Sequence, residues 1–542
     1  MTHHLSMLAP TADPVRLPRP LDSLPAVVPE PPRRGGRARS LRALLRIVTA
    51  AEVTIERHYK FWRWLAMHYP PALDRLGRIV AALTCALAAH EVPAYRDFVA
   101  RQRSSRNRLR LDAWPPTDKA SYAAAYDFAA RCRDGRICSA GVNVDESSGS
   151  SGAPFNWVRS LAELTQTHAN MANFARLIFP SERLFVLNAF SMGAWATGIN
   201  VSRALERVGI VKSIGPDCAA ILETMRRFGP GHDYLITAYP PFLKKVCDVM
   251  DETGFDWQRF RLNALVGGEP LTEALRSYLE RRFDKVRSGY GASDVQIGIA
   301  GETTFAVWLR RRLLIDSQLR YALIGDGEDR IPMVFQYNPL DNYIEVNDEG
   351  ELLITATSAN ILSPKLRYNL GDEGAVLPFA KVVSAVRAHV ADADMHLANC
   401  RDDLIRLPVL FLFGRRDSTI SYMGANIYPQ DVEYGLYSDA GWASDIAGFC
   451  LALEEDCALD TFPAVHVELR PSTVLDDDRR ARMAVALRRA IVSHIAAINR
   501  DFAQSVAEDP AIADIRIHLT SHGQGLFADR APSIKNRYFV RS

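Results

Sequence analysis

The chain has 542 residues, 48% of them hydrophobic, with 65 Lys and Arg against 63 Asp and Glu, a formal net charge of +2. That near-balance excludes a polyanion, whether nucleic acid or an anionic membrane surface, as the main partner. The length calls for two or more domains, and no apolar run approaches the roughly 18–20 residues of a membrane span.

Residues 1–39 are rich in Pro and Arg, lack apolar periodicity, and read as a disordered tail. From Ser40 to about Arg131 the pattern is helical, with apolar residues three and four apart in LRALLRIVTAAEVTIERHYKFWRWLA. Beyond residue 155 strand and helix signals alternate. Leu184–Ala189, Asp233–Ala238, Asn263–Val266 and Lys285–Ser288 read as strands; Gly198–Val208, Pro241–Met250 and Leu271–Phe283 read as helices. This alternation predicts α/β layering, in which ligands gather at the carboxyl ends of the strands. Ile344–Ala356 reads as a hairpin about Asp348-Glu349-Gly350, Leu366–Leu377 as further β structure, and Phe379–Leu407 as a helix-like stretch. From about Trp442 two strands, a long helix at Asp476–Asn499 and a last strand form a separate small α+β module. The eight cysteines are scattered without a CxxC and read as reduced thiols of a cytoplasmic protein.

Between residues 144 and 157 stands VDESSGSSGAPFNW. Ser147, Ser148, Gly149, Ser150, Ser151 and Gly152 cannot build a core. They can build a linker, or a loop whose N–H groups and hydroxyls converge on an anion. Further along stand GGEP at 267–270, GYGASD at 289–294, LRYNLGDEG at 366–374, GRRDSTISYMGANIYPQDVE at 414–433 and APSIKNRYF around Lys535.

Taken in order, these segments resemble the adenylate-forming superfamily of acyl-CoA synthetases. Val92-Pro93-Ala94-Tyr95-Arg96 makes the phenylacetate–CoA ligase branch the nearest likeness, over about residues 75–540. The resemblance implies a large AMP-binding domain over 40–413, with parallel and mixed sheets and a β-rich subdomain. A hinge at 414–418 would follow, then a small mobile α+β domain over 419–542. It implies ATP, Mg2+ and coenzyme A, and a small carboxylate, aromatic or fatty, activated to acyl-AMP and passed to the thiol. A carrier protein or an amine is the alternative acceptor, and a catalytically inactive nucleotide-binding homologue the alternative outcome.

The likeness assigns ATP phosphates to the Ser147–Gly152 loop, where relatives usually carry Lys at the position held here by Ala153. It places Gly268, Glu269, Pro270, Tyr290, Gly291, Ala292 and Ser293 around the nucleotide. Asp294 would serve Mg2+, standing where Glu is usual. Asp372 would take the ribose hydroxyls and Arg415 a phosphate or ribose oxygen. Asp417 is the implied hinge and Gly424 lines the channel for the thiol arm. Lys535, preceded by Ile534 where Gly is usual, is the implied catalytic cation. Phe190, Trp195, Tyr239 and Pro240 would wall the acyl pocket.

Overall fold

The helical periodicity of the first segment resolves into four α-helices, Gly36–Arg57, Tyr59–His68, Pro70–Glu91 and Pro93–Arg101. Pro70 opens the third at a position where its missing N–H has no intrahelical partner to lose. Gly36–Arg39 are helical, so the boundary expected at 40 moves back by one turn, the usual slack of a boundary read from pattern. The structure is a computed structural model. It describes residues 36–102, 110–146, 155–194, 196–325, 328, 330–415, 420–422, 425–438, 440–455, 461–499, 502–503, 506, 510–528 and 539–540.

β1 (Val142–Glu146) and β2 (Asn156–Ser160) pair antiparallel and flank the Ser/Gly segment, Glu146 opposite Asn156. Ser160 then starts the helix Leu161–Ile178 through a reciprocal capping box with Glu163. Next come β3 (Leu184–Asn188), β4 (Ile210–Ser213), β5 (Asp233–Ala238), β6 (Arg261–Gly267) and β7 (Lys285–Ala292). These five are parallel. β3 and nearly all of β5 are buried, as expected of strands covered on both faces.

β8 (Gln296–Gly301), β9 (Met333–Tyr337), β10 (Asn342–Val346), β11 (Glu351–Ala356), β12 (Tyr368–Leu377) and β13 (Val409–Arg415) continue the same sheet with antiparallel pairings. The order across its 11 strands is β10-β11-β12-β13-β9-β8-β7-β6-β5-β3-β4. The β-rich part is thus a continuation of the parallel part, not a separate sheet. Gly350, at φ +82°, makes the tight turn of the β10–β11 hairpin. The expected helix at Leu271–Phe283 is shorter, Glu273–Leu279. Thr272 caps its start, and the chain turns after Leu279 to bury Phe283 ahead of β7. Phe379–Leu407 becomes two helices, Phe379–His389 and Ala393–Asn399, whose apolar residues share a core cluster with Phe305, Leu309 and Phe411.

β14 (Ile420–Tyr422) pairs with β15 (Ala425–Ile427). The small module follows, with β16 (Ile446–Glu455), β17 (Thr461–Leu469), β18 (Arg516–Thr520) and β19 (Phe539–Val540) in the order β18-β17-β16-β19. The helix Asp477–Ile498 buries Met483, Leu487, Ile491 and Ile495, a stripe at four-residue spacing. The helix Pro429–Ser438 crosses it so closely that a Cβ on Gly435 would lie 2.5 Å from Ile491 Cα.

The module meets the helix Pro240–Glu252 through buried charges. Lys244 Nζ donates to Asp248 Oδ2 at 2.8 Å and to the Ile446 carbonyl. Arg470 donates to Glu252 Oε1 at 2.9 Å and to the Asp248 carbonyl at 3.0 Å.

Beside β7, the fully buried Arg276 donates to Glu302 Oε1 at 2.6 Å and to Glu273 Oε1 at 2.9 Å. Burial pushes the Glu273 carboxyl up, but Arg276, Arg310 and Arg311 together hold it at about 2. Arg276→Ala leaves buried Glu302 without its guanidinium and Glu273 with only Arg310 and Arg311, and urea unfolding is expected to show a loss of about 3–5 kcal/mol. Because the folded Glu273 lies below its ordinary 4.5, its contribution is present above that pH and fades as the pH falls toward 2. The difference between wild type and Arg276→Ala should therefore shrink in urea titrations run below about pH 4.

Candidate active site

Strands β3, β5, β6 and β7 end side by side, and the residues that follow them carry the first group of expected site residues. Phe190 and Tyr239, both buried, meet edge to face with ring centroids 5.0 Å apart. Pro240 opens the helix after β5. At the end of β6 a Cβ on Gly267 would come within 2.9 Å of the Gly289 carbonyl, so the two strand ends close together only because the position is glycine. Gly268 turns the chain off the sheet at φ +80°. Glu269 and Pro270 are half-buried beside this turn, and Glu269 acts electrostatically on the Tyr239 hydroxyl.

β7 runs through Tyr290, Gly291 and Ala292. The Tyr290 ring sits in the core, 6.0 Å from that of Phe335, and its hydroxyl donates to Asp372 Oδ2 at 2.6 Å. Burial, then the neighbouring Asp372 charge, pushes this phenol well above its ordinary value, so it remains a donor. Asp372 lies on β12 opposite Arg415 on β13, and Arg415 Nε donates to Asp372 Oδ1 at 3.3 Å. Both carboxylate oxygens are engaged yet keep lone pairs for further donors. The neighbouring Glu373 pairs with Arg330 at 2.6 Å, while Arg415, half-exposed, pairs with Asp372.

Asp294 follows β7 by two residues. Trp157 Nε1 donates to its Oδ1 at 3.1 Å, and the Tyr368 hydroxyl lies 3.4 Å from its Oδ2. The turn carrying Asp294 is gripped by the buried Arg159, which donates to the Ser293 and Val295 carbonyls at 2.5 and 2.7 Å and to Asp145 at 2.9 Å. Trp157 and Arg159 both belong to β2, the strand that follows the Ser/Gly segment. The buried Lys365 lies 4.5 Å from the Trp157 ring centroid; burial, then the nearby Arg159, pulls its ammonium down to about 7. Arg367 takes a left-handed φ of +46°, held by Glu345 at 2.9 Å and by the Trp114 carbonyl. The bend lies immediately before Tyr368, at the start of β12.

The structure therefore brings Tyr290, Asp294, Asp372 and Arg415 to one end of the mixed sheet, with Phe190, Tyr239 and Pro240 at the ends of its parallel strands. Gly414 and Arg415, the first two residues of the expected hinge, are the last two of β13 and paired into the large sheet. The residues Ser147, Ser148, Gly149, Ser150, Ser151, Gly152, Ala153, Trp195, Asp417, Gly424, Ile534 and Lys535 lie outside the described residues.

Sequence reasoning missed Trp157, Arg159, Lys365 and Tyr368. The first two follow the Ser/Gly segment closely, and Tyr368 precedes Asp372 by four residues. Trp157 and Tyr368 stand inside the segments VDESSGSSGAPFNW and LRYNLGDEG but have no assigned role there, and only the pairing of β1 with β2 and the bend into β12 turn them toward Asp294.

No family model matches the sequence, and no curated protein does. Among solved structures the chain is similar to 2-hydroxyisobutyryl-CoA ligase in the postadenylation state in complex with R3-HIB-AMP. Sequence identity is 14%, over 88% of this chain and 91% of that chain, with a TM-score of 0.61. The same ligase with 2-HIB-AMP gives 15%, 88%, 91% and 0.61. With 2-HIB-AMP and CoA in the thioesterification state it gives 15%, 88%, 91% and 0.51. At this identity the likeness establishes the fold, which is that of the adenylate-forming ligases.

Tyr290→Phe keeps the ring in the core and removes the donor to Asp372. Urea unfolding is expected to show a loss of about 1–2 kcal/mol with no change in circular dichroism.

Proposed function

We propose that this chain activates a carboxylic acid with ATP and passes the acyl group to the thiol of coenzyme A. The observation that carries the reading is the convergence of Tyr290, Asp294, Asp372 and Arg415 at one sheet end, in a fold shared with ligases crystallised with acyl-AMP.

In this reading Asp372 accepts both ribose hydroxyls, a pair of adjacent donors suited to one carboxylate. Arg415 contacts an adjacent phosphate or ribose oxygen. Ser147–Gly152 cradles the outer phosphates through N–H and hydroxyl donors, with Ala153 contributing no cation. The donor set at Asp294 fits Mg2+: a carboxylate oriented by Trp157 keeps lone pairs free, and Mg2+ takes one or two carboxylates alongside phosphate oxygens and waters. Bound there, Mg2+ would neutralise phosphate charge.

The acid's carboxylate oxygen attacks the α-phosphorus and the bond to pyrophosphate breaks, giving the mixed anhydride acyl-AMP. Lys535 offsets negative charge shared between the two anions as they meet. The small module then turns about Asp417, which withdraws Lys535 and admits the thiol past Gly424. The thiol attacks the acyl carbon, AMP leaves, and the thioester forms. Phe190, Trp195, Tyr239 and Pro240 give the acid pocket an aromatic wall, which favours an aromatic or fatty acid and the phenylacetate–CoA ligase-like branch. The described cysteines are free thiols, which fits a reducing cytoplasm. No described helix is long and apolar enough to cross a membrane.

A pyrophosphate-release screen over aromatic, fatty and amino acids tests the reading. The expected result is ATP-dependent release with one acid class and a CoA thioester product; release that gives no CoA thioester, but a carrier-protein thioester or an amide when that acceptor is supplied, would overturn the CoA step. Asp372→Ala is expected to raise the KM for ATP about 10- to 100-fold. Lys535→Ala is expected to abolish adenylation while nucleotide binding persists. Binding of ATP without pyrophosphate release from any acid would overturn the catalytic reading.

A further inference from the structure

Glu52 and Glu56 stand one turn apart on the N-terminal helix Gly36–Arg57, and Asp341 sits in the turn between β9 and β10. One oxygen from each lies within 4.8 Å of the others. All three residues are buried, Glu56 at 2% exposure. Glu52 Oε1 and both oxygens of Glu56 have no hydrogen-bond partner. Among the described residues no Lys, Arg or His pairs with any of the three. Burial and then the neighbouring carboxylates push both Glu carboxyls well above their ordinary value, and burial takes Asp341 to about 6. Three buried acids without a compensating cation are costly, because desolvation penalises each charge and the charges repel.

A second observation comes from neutral groups. Asn170 and Asn342 are both fully buried, and their amide nitrogens donate to Asp341 Oδ2 at 2.9 and 3.1 Å. Their carbonyl oxygens have no donor. The carboxylate fixes which end of each amide is nitrogen, since the reverse orientation would set oxygen against oxygen. Two orphaned amide oxygens thus belong to side chains bonded directly to Asp341, one of three clustered carboxylates that lack a counter-charge. Buried polar oxygens ordinarily find a donor, so the orphaned oxygens of Glu52, Glu56, Asn170 and Asn342, four groups gathered about Asp341, call for a shared partner. That partner is positive and oxygen-seeking.

We propose that Glu52, Glu56 and Asp341, with the amide oxygens of Asn170 and Asn342, bind a hard divalent cation of the Ca2+ or Mg2+ class that fastens the N-terminal helix to the sheet. An all-oxygen set without His or Cys selects this class over zinc or copper. Ca2+ fits best, since it accepts six to eight oxygens in flexible geometry at about 2.3–2.6 Å and tolerates a wide spread of ligands. The site lies behind the candidate active site: Gln296, two residues after Asp294, donates to Asp341 at 2.9 Å. It requires no nucleotide and is independent of the proposed activity.

Trp62 lines one cavity with Glu52 and Glu56 and can sensitise a lanthanide bound there. The experiment uses the full chain, stripped with EDTA and free of nucleotide, titrated with Tb3+ under tryptophan excitation and then competed with Ca2+ or Mg2+. Bound metal is counted by mass spectrometry, and the unfolding midpoint is read with and without each cation. The expected result is one Tb3+ per chain, displaced by Ca2+ at lower concentration than by Mg2+, and a midpoint raised by Ca2+. Glu56→Gln is expected to weaken Tb3+ binding at least about tenfold. Trp62→Phe, which leaves every ligand in place, should lose most of the luminescence and keep the metal count, so the assignment holds even where Glu56→Gln fails to fold. A stripped protein that binds no Tb3+ and whose midpoint ignores both cations overturns the proposal. So does Tb3+ luminescence unchanged in Trp62→Phe, which would place the ion elsewhere. Displacement by Mg2+ in preference to Ca2+ assigns the site to the smaller ion within the same class.

Discussion

A hydrogen bond from the Tyr290 hydroxyl to Asp372 links the parallel part of the sheet to its antiparallel part across the strands that pair between them. Tyr290 ends a strand of the parallel set, while Asp372 sits on β12, which is separated from β7 by three strands in the sheet order. Only a twisted sheet brings side chains from such distant strands within 2.6 Å of each other. With that contact made, Arg415 on the adjacent β13 is set beside the same carboxylate by backbone register alone. Tyr368, four residues earlier on β12, is likewise carried to Asp294. The site is a consequence of how the strands twist and pair, and the chain needs no large loop rearrangement to assemble the described part of it.

The parallel strands were legible because each is a short apolar run between helical patterns, and the strands expected at Leu184, Asp233 and Lys285 all exist. The helix at Leu271–Phe283 was overextended because its apolar period runs on past Leu279, while the chain must turn there to feed β7. The union of the β-rich part with the parallel sheet was not legible at all. It rests on β8 and β9 pairing antiparallel across the middle, and strand neighbours far apart in sequence leave no local pattern. In the site, Asp294 and Asp372 could be picked out because motifs surround them. Trp157 and Tyr368, which hold Asp294, look in the sequence like any other aromatic residue of a strand. Gly414 and Arg415, the first two residues of the expected hinge, look like loop residues by composition yet pair with Glu373 and Asp372.

Buried charge is handled in two ways in this molecule. Around Arg276 it is balanced, each carboxylate meeting a guanidinium at hydrogen-bond distance, so burial strengthens the pairs. At Glu52, Glu56 and Asp341 the same burial acts on acids alone. The contrast within one molecule argues that the second cluster is not a by-product of loose packing, since acids buried around Arg276 are given cations of their own.

The helix Pro240–Glu252 joins two regions that would otherwise be unrelated. Its first residue stands beside Tyr239 in the candidate acid pocket, and its later turns carry Lys244, Asp248 and Glu252, which grip the small module at Ile446 and Arg470. A rod of 13 residues tilts as a unit. Under the proposed function, reshaping the pocket for a bulkier acid would therefore pull on the clamp at the far end, linking the breadth of acids admitted to how firmly the helix holds the small module.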